Sequence, residues 1–391
     1  MTRAVLVFPL LVVAALIVTL PVGGACGEPE QGSLKGEMQG LFDAWLEDPG
    51  SYEARALKEC RKFPEGDLFP FVLPAMAYAQ RAFGGEIAVG HARKQVSLLV
   101  GMAVRGVARR FKTTPSKLAS SPNSRQQATY LCQLNLALGA QALLGDSSRM
   151  GLHDSLTDRI SGELEDSGGR PLHSFPGLLW PFDTVPCLVS VAMHARARGN
   201  LEGIPLLAKH LSWLKEHATD RATGLPMSRL DAKTYEPLES PRGCELSWRI
   251  ALLALVDRKA AQQMYARYKK HFWLERLVVA GFAEWPHGDA GKEDVDSGPI
   301  WLGIGSAASV LGVAAGLAMG DDSVVKRLLG QVESGTRMLG ELLANSNSGT
   351  IVRGGIKLRR GYKTGFLFGD AVFFYALTWN QWKQVGEHAN K

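Results

Sequence analysis

The sequence predicts an all-α protein, a closed (α/α)6 toroid of helical hairpins with a few short strands in its loops. Three observations predict this fold. Apolar residues recur at helical spacing along nearly the whole chain after residue 25. Short connectors rich in glycine, proline and aspartate separate the helical stretches. One apolar helix is echoed later in the chain, as expected of a repeated architecture. Hydrophobic residues make up 46% of the chain, so a large core is available.

The helical pattern covers most of the chain and predicts stacked helical hairpins. The stretches that show it are 35–47, 67–82, 87–111, 125–144, 184–199, 201–218, 244–256, 258–272, 300–319, 322–344 and 368–384. Patterns typical of strands are few, and we expect short extended pieces only near 225–230 and 349–358.

The internal echo indicates how the helices are arranged. Residues 136–146, LALGAQALLGD, resemble residues 311–321, LGVAAGLAMGD. Both stretches are small and apolar on most sides, which is typical of helices surrounded by other helices. Each ends in a glycine suited to a left-handed C-cap, followed by an aspartate that can cap the next helix. Inner helices repeated about a centre favour a ring, so residues 26–391 are expected to form a single toroid domain.

The first 25 residues have the pattern of a secretory signal. Arg3 precedes a long, predominantly apolar run, and small residues follow it at 23–25. The small residues before Cys26 resemble the lipobox of bacterial lipoproteins, and this resemblance implies that Cys26 is acylated. The alternatives are ordinary cleavage after Ala25 and an uncleaved anchor. We therefore expect an exported protein, periplasmic or bound to a bacterial membrane as a lipoprotein.

The remaining cysteines and the charge exclude some classes of function. Cys60, Cys132, Cys187 and Cys244 are left if Cys26 holds a lipid, and they can form two disulfides or remain free thiols. The sequence contains no C-x-x-C spacing, which argues against a zinc or redox site built on cysteine. The net charge of +6 is spread along the chain, so nucleic acid is not an expected partner. No cofactor or metal motif is present, and none is expected.

Three loops carry the residues on which a function could depend, and each precedes a predicted inner helix. They are Phe175–Thr184, Ser240–Trp248 and the stretch from Glu284 to Pro299, with a weaker fourth from Tyr362 to Asp370. In a helical toroid the N-termini of the inner helices open onto one face, so these loops are expected to meet. Loops that present charged and aromatic side chains on a rigid scaffold are where function tends to lie.

Paired carboxylates in these loops indicate acid–base chemistry, with Asp183, Glu245 and Asp296 as the candidate catalytic residues. Tryptophans beside them offer flat apolar faces to sugar rings. The candidate substrate-binding residues are Trp180, Arg242, Trp285, His287, Asp294, Trp301 and Tyr362. Each side chain also has a structural interpretation. Asp183, Asp294 and Asp296 can be helix caps, with Pro299 in the first turn of a helix. Arg242 can pair with Glu245 or Glu239, and the tryptophans can fill space.

The Trp180–Thr184 turn and the Asp294–Pro299 turn resemble turns that open the inner helices of six-hairpin (α/α)6 toroids. That group includes glycoside hydrolases, polysaccharide lyases and linalool dehydratase-isomerase. The resemblance implies a toroid enzyme acting on a carbohydrate, or alternatively a hydro-lyase or isomerase of small apolar alcohols. The terpenoid dehydratases use two cysteines close together in sequence, whereas here Cys187 and Cys244 lie far apart.

Three hypotheses follow for function. The first is an exported hydrolase or lyase that acts on a carbohydrate through Asp183, Glu245 and Asp296. The second is a non-catalytic envelope lipoprotein that binds a glycan or a protein partner. The third is a lyase or isomerase of small apolar alcohols that uses Cys187 or Cys244. Other enzyme classes lack support, because the sequence contains neither a G-x-S-x-G nucleophile elbow nor an H-E-x-x-H zinc motif.

Overall fold

The structure is a computed structural model that describes residues 31–59, 63–200, 205–276, 279–286, 291–332, 350–353, 356–359 and 366–382. Helices dominate these residues. They are α1 (Gln31–Leu46), α2 (Pro49–Glu59), α3 (Phe69–Phe83), α4 (Val89–Arg110), α5 (Ala128–Leu143), α6 (Met150–Ser167), α7 (Thr184–Ala197), α8 (Pro205–His217), α9 (Gly243–Leu253), α10 (Arg258–Phe272), α11 (Ser306–Met319), α12 (322–332) and α13 (Leu367–Leu377).

The strands form short antiparallel hairpins between helices. They are β1 (Arg229–Leu230) with β2 (Pro237–Glu239), β3 (Trp273–Arg276) with β4 (Val279–Phe282), β5 (Ile300–Trp301) with β6 (Ile304–Gly305), and β7 (Thr350–Arg353) with β8 (Ile356–Arg359). The predicted extended pieces near 225–230 and 349–358 correspond to β1 and to β7 with β8. The hairpin formed by β3 and β4 was not predicted.

Six of the described helices close a ring. α3 packs against α5, α5 against α7, α7 against α9, α9 against α11, α11 against α13, and α13 returns to α3. These helices are apolar and largely buried, whereas α4, α6 and α10 lie outside and each packs against the two inner helices that flank it in the chain. The chain is therefore an (α/α)6 toroid, as predicted.

The two echoed stretches occupy equivalent places on opposite sides of this ring. They form the second halves of α5 and α11, which are the second and fifth inner helices. Gly145 and Gly320 have φ angles of +81° and +73°, the left-handed conformation expected of a C-cap glycine. The Asp321 carboxylate accepts a hydrogen bond of 3.3 Å from the backbone N–H of Val324, so it caps the next helix as predicted.

The prediction of a helix over 300–319 was wrong at its start. Residues 300–305 form the hairpin of β5 and β6, and α11 begins only at Ser306. Leu302 and Gly303 connect the two strands with φ angles of +50° and +83°, the conformation of a tight hairpin turn. Pro299 therefore precedes a strand and is not in the first turn of a helix. Two helices, α2 and α6, were missed because their sequences are rich in polar residues and glycine.

A disulfide links two adjacent inner helices. Cys132 of α5 and Cys187 of α7 are bonded, with their Cα atoms 4.5 Å apart. Cys244 is a buried free thiol. Cys60 and Cys26 lie outside the described residues, as does the predicted signal at 1–25. None of the helices in the described part of the chain combines the length and apolar character that a membrane-spanning helix requires.

Candidate functional site

The loops that precede the inner helices meet at one end of the ring. The backbone N–H of Ala128 at the start of α5 donates to the carbonyl of His173, at 3.0 Å. Leu230 donates to Leu179 at 3.0 Å, which joins the β1 segment to the loop before α7. Gly243 at the start of α9 donates at 2.8 Å to the carbonyl of Glu284, in the loop before α11. We call this end of the ring, lined by residues 65–67, 127–130, 174–183, 228–249, 284–286 and 291–297, the mouth.

Asp183 is buried in the mouth and is held by hydrogen bonds from the start of α5 and from its own loop. It ends a 3-10 turn, and its carboxylate accepts a hydrogen bond of 2.8 Å from the Thr129 hydroxyl on α5. Desolvation by burial raises the pKa of its carboxyl to about 6, against the lowering effect of hydrogen bonds from Ser174 and Thr129. Asp183 occupies the N-cap position of α7 as predicted, but its side chain makes no capping hydrogen bond.

Glu245 lies in the first turn of α9 and is half-buried. Its carboxyl accepts a hydrogen bond of 2.9 Å from the Ser228 hydroxyl. Desolvation by burial raises its pKa to about 8, and the nearby charge of Asp183 raises it further against the lowering effects of Arg242 and Arg249. Glu245 is therefore mainly protonated at neutral pH.

Asp296 is exposed to solvent, in contrast to Asp183. The protein around it is nevertheless dense enough for desolvation to raise the pKa of its carboxyl to about 6, and the charges of Asp294 and Glu65 act in the same direction. The three carboxyl groups singled out from the sequence lie within electrostatic range of one another in two pairs, since the charge of Asp296 raises the pKa of Asp183 and the charge of Asp183 raises the pKa of Glu245.

Arg242 connects two loops of the mouth through carboxylates that the sequence did not pair with it. Its Nε donates to the buried Glu284 at 2.6 Å, and its Nη2 donates to Asp294. The expected partners, Glu245 and Glu239, make other contacts: Glu239 pairs with Arg229 at 2.8 Å. Arg242 therefore fixes the start of α9 to the loop before α11, which carries Glu284, Asp294 and Asp296.

Asp294 organises its own loop and caps no helix. Its carboxylate accepts backbone hydrogen bonds from Asp296 at 3.0 Å and Ser297 at 2.8 Å, which makes a tight turn. Desolvation by burial raises the pKa of the Asp294 carboxyl. The Arg242 guanidinium and these backbone donors outweigh it and hold the pKa below its usual value. The Asp294 carboxylate is therefore ionised at neutral pH and keeps Asp296 in place.

Glu65, Asp67, Arg249 and Glu284 also belong to the mouth but were not singled out from the sequence. Glu284 lies within a quoted loop, and desolvation raises its pKa to about 7. Arg249 is four residues after Glu245, a helical spacing that places both side chains on one face of α9 and could have identified it. Glu65 and Asp67 lie in a short 3-10 turn before α3, where no sequence pattern marks them.

The aromatic candidates lie near these charges with different degrees of exposure. Trp180, Trp285 and Trp301 are half-buried. The guanidinium of Arg229 lies 5.9 Å from the Trp180 ring, and that of Arg242 lies 5.4 Å from the Trp285 ring. Trp301 lies in β5 and belongs to the hairpin before α11. His287 and Tyr362 lie outside the described residues.

The disulfide weakens the hypothesis of a lyase or isomerase that uses the thiol of Cys187 or Cys244. Cys187 is bonded to Cys132, so it has no thiol available for lyase chemistry. Cys244 remains free, but desolvation by burial raises the pKa of its thiol well above the usual value, which disfavours a reactive thiolate.

No metal site is evident at the mouth, since the described residues contain no group of three or more His, Cys, Asp or Glu arranged to hold a metal ion. A surface groove of about 560 Å³ lies beside α6. It is lined by residues that include Arg125, Arg159, Glu163, His173 and Tyr235. Tyr235 belongs to both the groove and the mouth, but Asp183, Glu245 and Asp296 do not line the groove.

Comparisons with known proteins provide similar solved structures but no matching family or curated protein. The fold is similar to the crystal structure of an unsaturated glucuronyl hydrolase from Bacillus sp. GL1, described as responsible for the degradation of glycosaminoglycan. The identity is 11%, the match covers 88% of this chain and 100% of that chain, and the TM-score is 0.45.

The separation of pKa values determines what the mouth can do chemically. At neutral pH the Glu245 carboxyl, with a pKa of about 8, can donate a proton. Asp183 and Asp296, with pKa values of about 6, are mainly ionised and can accept one. Neighbouring carboxyl groups with separated pKa values can divide the roles of general acid and general base.

Proposed function

We propose that the protein is a carbohydrate-acting enzyme, a glycoside hydrolase or lyase, that uses the carboxyl groups of the mouth. One observation carries this proposal: Asp183, Glu245 and Asp296 belong to the segments that open three different inner helices, and the pKa of Glu245, about 8, lies above those of Asp183 and Asp296, about 6. Half-buried tryptophans beside the carboxylates offer apolar faces to a sugar ring.

In this proposal Glu245 is the general acid, because its carboxyl is the one mainly protonated at neutral pH. Asp296 is the general base or nucleophile, because it is ionised and open to solvent, where water and substrate can reach it. Asp183 is buried, and its negative charge raises the pKa of Glu245, which favours the protonated form of that general acid. Glycoside hydrolases usually use two carboxyl groups in these roles.

We further propose that the chain is exported. The signal pattern of residues 1–25 supports export, and the Cys132–Cys187 disulfide supports an oxidising compartment such as the periplasm. Anchoring through a lipid on Cys26 would keep the mouth close to envelope polysaccharides. Mass spectrometry of the chain recovered from bacterial membranes tests this: an acylated N-terminal Cys26 supports anchoring, and a mature chain with an unmodified N-terminus contradicts it.

The experiment that tests the enzymatic proposal measures product release from a panel of bacterial envelope and environmental polysaccharides. The parent protein is compared with Asp183→Asn, Glu245→Gln and Asp296→Asn, after circular dichroism has shown that each variant is folded. Asp158→Asn, a change of an exposed carboxylate on α6, is the matched control.

We expect the parent and the control to release product. Glu245→Gln and Asp296→Asn should each lose at least about 100-fold in rate, the size of a typical general acid or base contribution. Release that persists in both folded variants would refute the assignment of roles. No release from any polysaccharide would favour the binding-protein hypothesis instead.

A further inference from the structure

We infer that Arg249 forms an anion-binding subsite in the mouth, which takes a carboxylate or sulfate group carried by the ligand. That the ligand is a sugar rests on the proposed function. That the site binds an oxyanion rests on the surroundings of Arg249 alone.

The Arg249 side chain is buried and lacks the partners that a buried guanidinium normally has. It is 1% exposed, and its Nε and Nη1 atoms have no hydrogen-bond partner among the described residues. Buried charged groups are otherwise paired, because losing water without gaining a partner costs several kcal/mol, roughly. Arg242, the other buried arginine of the mouth, follows this rule through Glu284 and Asp294.

Position and electrostatics place Arg249 near Asp183 and Glu245. It lies one helical turn after Glu245 on α9, on the same face of the helix. Its guanidinium carbon is 5.8 Å from the centre of the Phe182 ring, beside Asp183 in the loop before α7. The charge of Arg249 lowers the pKa values of both Asp183 and Glu245, so the guanidinium lies within electrostatic range of both carboxyls.

The two neighbouring carboxyl groups do not use the donors of Arg249. Asp183 accepts its hydrogen bond from Thr129, and Glu245 accepts from Ser228. Neither comes within ion-pair distance of Arg249 in the described structure. The protonated state of Glu245 at neutral pH removes one of the two negative charges that could balance the guanidinium. A positive charge with free N–H donors therefore remains between the residues proposed for catalysis.

The geometry of the free donors selects the ligand chemistry. A guanidinium presents its N–H groups as a rigid fork that matches two oxygens of a carboxylate or a sulfate. Desolvation lowers the pKa of Arg249 to about 10, so it still carries its charge at neutral pH. A neutral sugar would leave this charge uncompensated, whereas an acidic or sulfated sugar would pair with it.

Isothermal titration calorimetry on the purified full chain tests this inference with three matched probes: sodium glucuronate, glucose 6-sulfate and glucose. The chain is compared with Arg249→Met, which keeps the apolar stem and removes the charge, and with Arg249→Lys, which keeps the charge but loses the fork. Arg258→Met removes an exposed arginine at the start of α10 and is the control.

We expect at least one charged probe to bind the parent at least tenfold more tightly than glucose does. That preference should persist in Arg258→Met, weaken in Arg249→Lys and vanish in Arg249→Met. Preference for glucuronate alone identifies a carboxylate, and preference for glucose 6-sulfate alone identifies a sulfate. Equal binding of charged and neutral probes, no binding of either charged probe, or a preference that survives Arg249→Met would each overturn the inference.

Thermal unfolding without ligand separates this role from a structural one. If Arg249 serves to bind a ligand anion, the substitution Arg249→Met removes an unpaired buried charge. The variant should then unfold at the same temperature as the parent or at a higher one. If Arg249 instead stabilises the fold through Asp183, the variant should unfold at a lower temperature.

The outcomes also distinguish this inference from the proposed function. Cleavage of an acidic or sulfated polysaccharide that is unchanged in Arg249→Met refutes only the inference, and anion binding without any cleavage refutes only the enzymatic proposal.

Discussion

The Thr129 hydroxyl donates a hydrogen bond of 2.8 Å to the Asp183 carboxylate, and this contact joins α5 to the turn before α7. About one turn further along the same two helices, Cys132 and Cys187 form the disulfide. The covalent link and the hydrogen bond therefore fix the same pair of helices next to the mouth. Asp183 is held on a rigid part of the ring, which is where a precisely positioned carboxylate is expected.

Replacing Thr129 by valine should destabilise the protein in a pH-dependent way. The hydrogen bond favours the ionised form of Asp183, and its loss leaves a buried carboxylate with one donor fewer. We expect a loss of about 1–3 kcal/mol in the free energy of unfolding at pH 8, and less at pH 5, where Asp183 is mainly protonated. Urea unfolding at both pH values measures this. Thr129→Ser, which keeps the hydroxyl, should behave like the parent, and an equal loss at both pH values would contradict the explanation.

Removing the disulfide should lower stability without changing the fold. The bond closes a loop between residues 55 positions apart, so the double variant Cys132→Ser, Cys187→Ser should lose about 2–4 kcal/mol in the free energy of unfolding. Guanidinium unfolding of the parent under oxidising and reducing conditions should show a difference of similar size. Peptide mapping that finds both cysteines as free thiols in the protein from its native compartment would show that the bond does not form there.

Glu245→Gln should flatten the dependence of stability on pH. The folded-state pKa of Glu245 is about 8, above the ordinary value of 4.5. Between these values the folded protein holds a proton that the unfolded chain releases. The contribution of Glu245 to stability is thus present below pH 4.5 and is lost as the pH rises through 8. We expect the variant to exceed the parent by at least about 1 kcal/mol at pH 9 and to approach it at pH 5. Parallel stability curves from pH 5 to 9 would exclude this titration.

Arg242→Met should destabilise the mouth more at high pH than at low pH. Its loss leaves the buried Glu284 without its cationic partner and frees Asp294 from the loop contact. We expect a loss of about 3–5 kcal/mol at pH 8, where an ionised Glu284 would be unpaired. At pH 5 the loss should be smaller, because the raised pKa of Glu284, about 7, allows it to be protonated. Addition of Glu284→Gln should recover part of the loss at pH 8 and none at pH 5.

Two Gly→Ala substitutions should have opposite effects. A Cβ at Gly243 would lie 2.0 Å from the carbonyl oxygen of Ala283, so Gly243→Ala must displace the start of α9 or the loop before α11. We expect a loss of more than about 2 kcal/mol. A Cβ at Gly162, in the middle of α6, meets nothing within 4 Å, and Gly162→Ala should gain about 0.5–1 kcal/mol from helix propensity. Thermal unfolding measures both, and a neutral Gly243→Ala would show that the two segments are not closely packed.

The sequence by itself determined the helical class and the ring. Helical periodicity is a local pattern, and an inner helix must be apolar on most sides. The composition of α5 and α11 therefore revealed their positions before any contact was known. The glycines that end these helices also predicted their left-handed C-caps, because such a cap depends only on residues close in sequence. Of the two aspartates that follow, Asp321 caps the next helix, whereas Asp146 does not cap α6.

Only the tertiary structure decided which charges meet. Arg242 pairs with Glu284 and Asp294 across 42 and 52 residues, and no local pattern distinguishes these partners from the nearer Glu245. Three further features likewise depend on how the ring packs around the residues concerned. They are the pairing of Cys132 with Cys187, the raised pKa of Glu245 and the unpartnered donors of Arg249. Burial and long-range pairing are properties of the packed molecule, because desolvation is produced by every element that surrounds a group and not by its sequence neighbours.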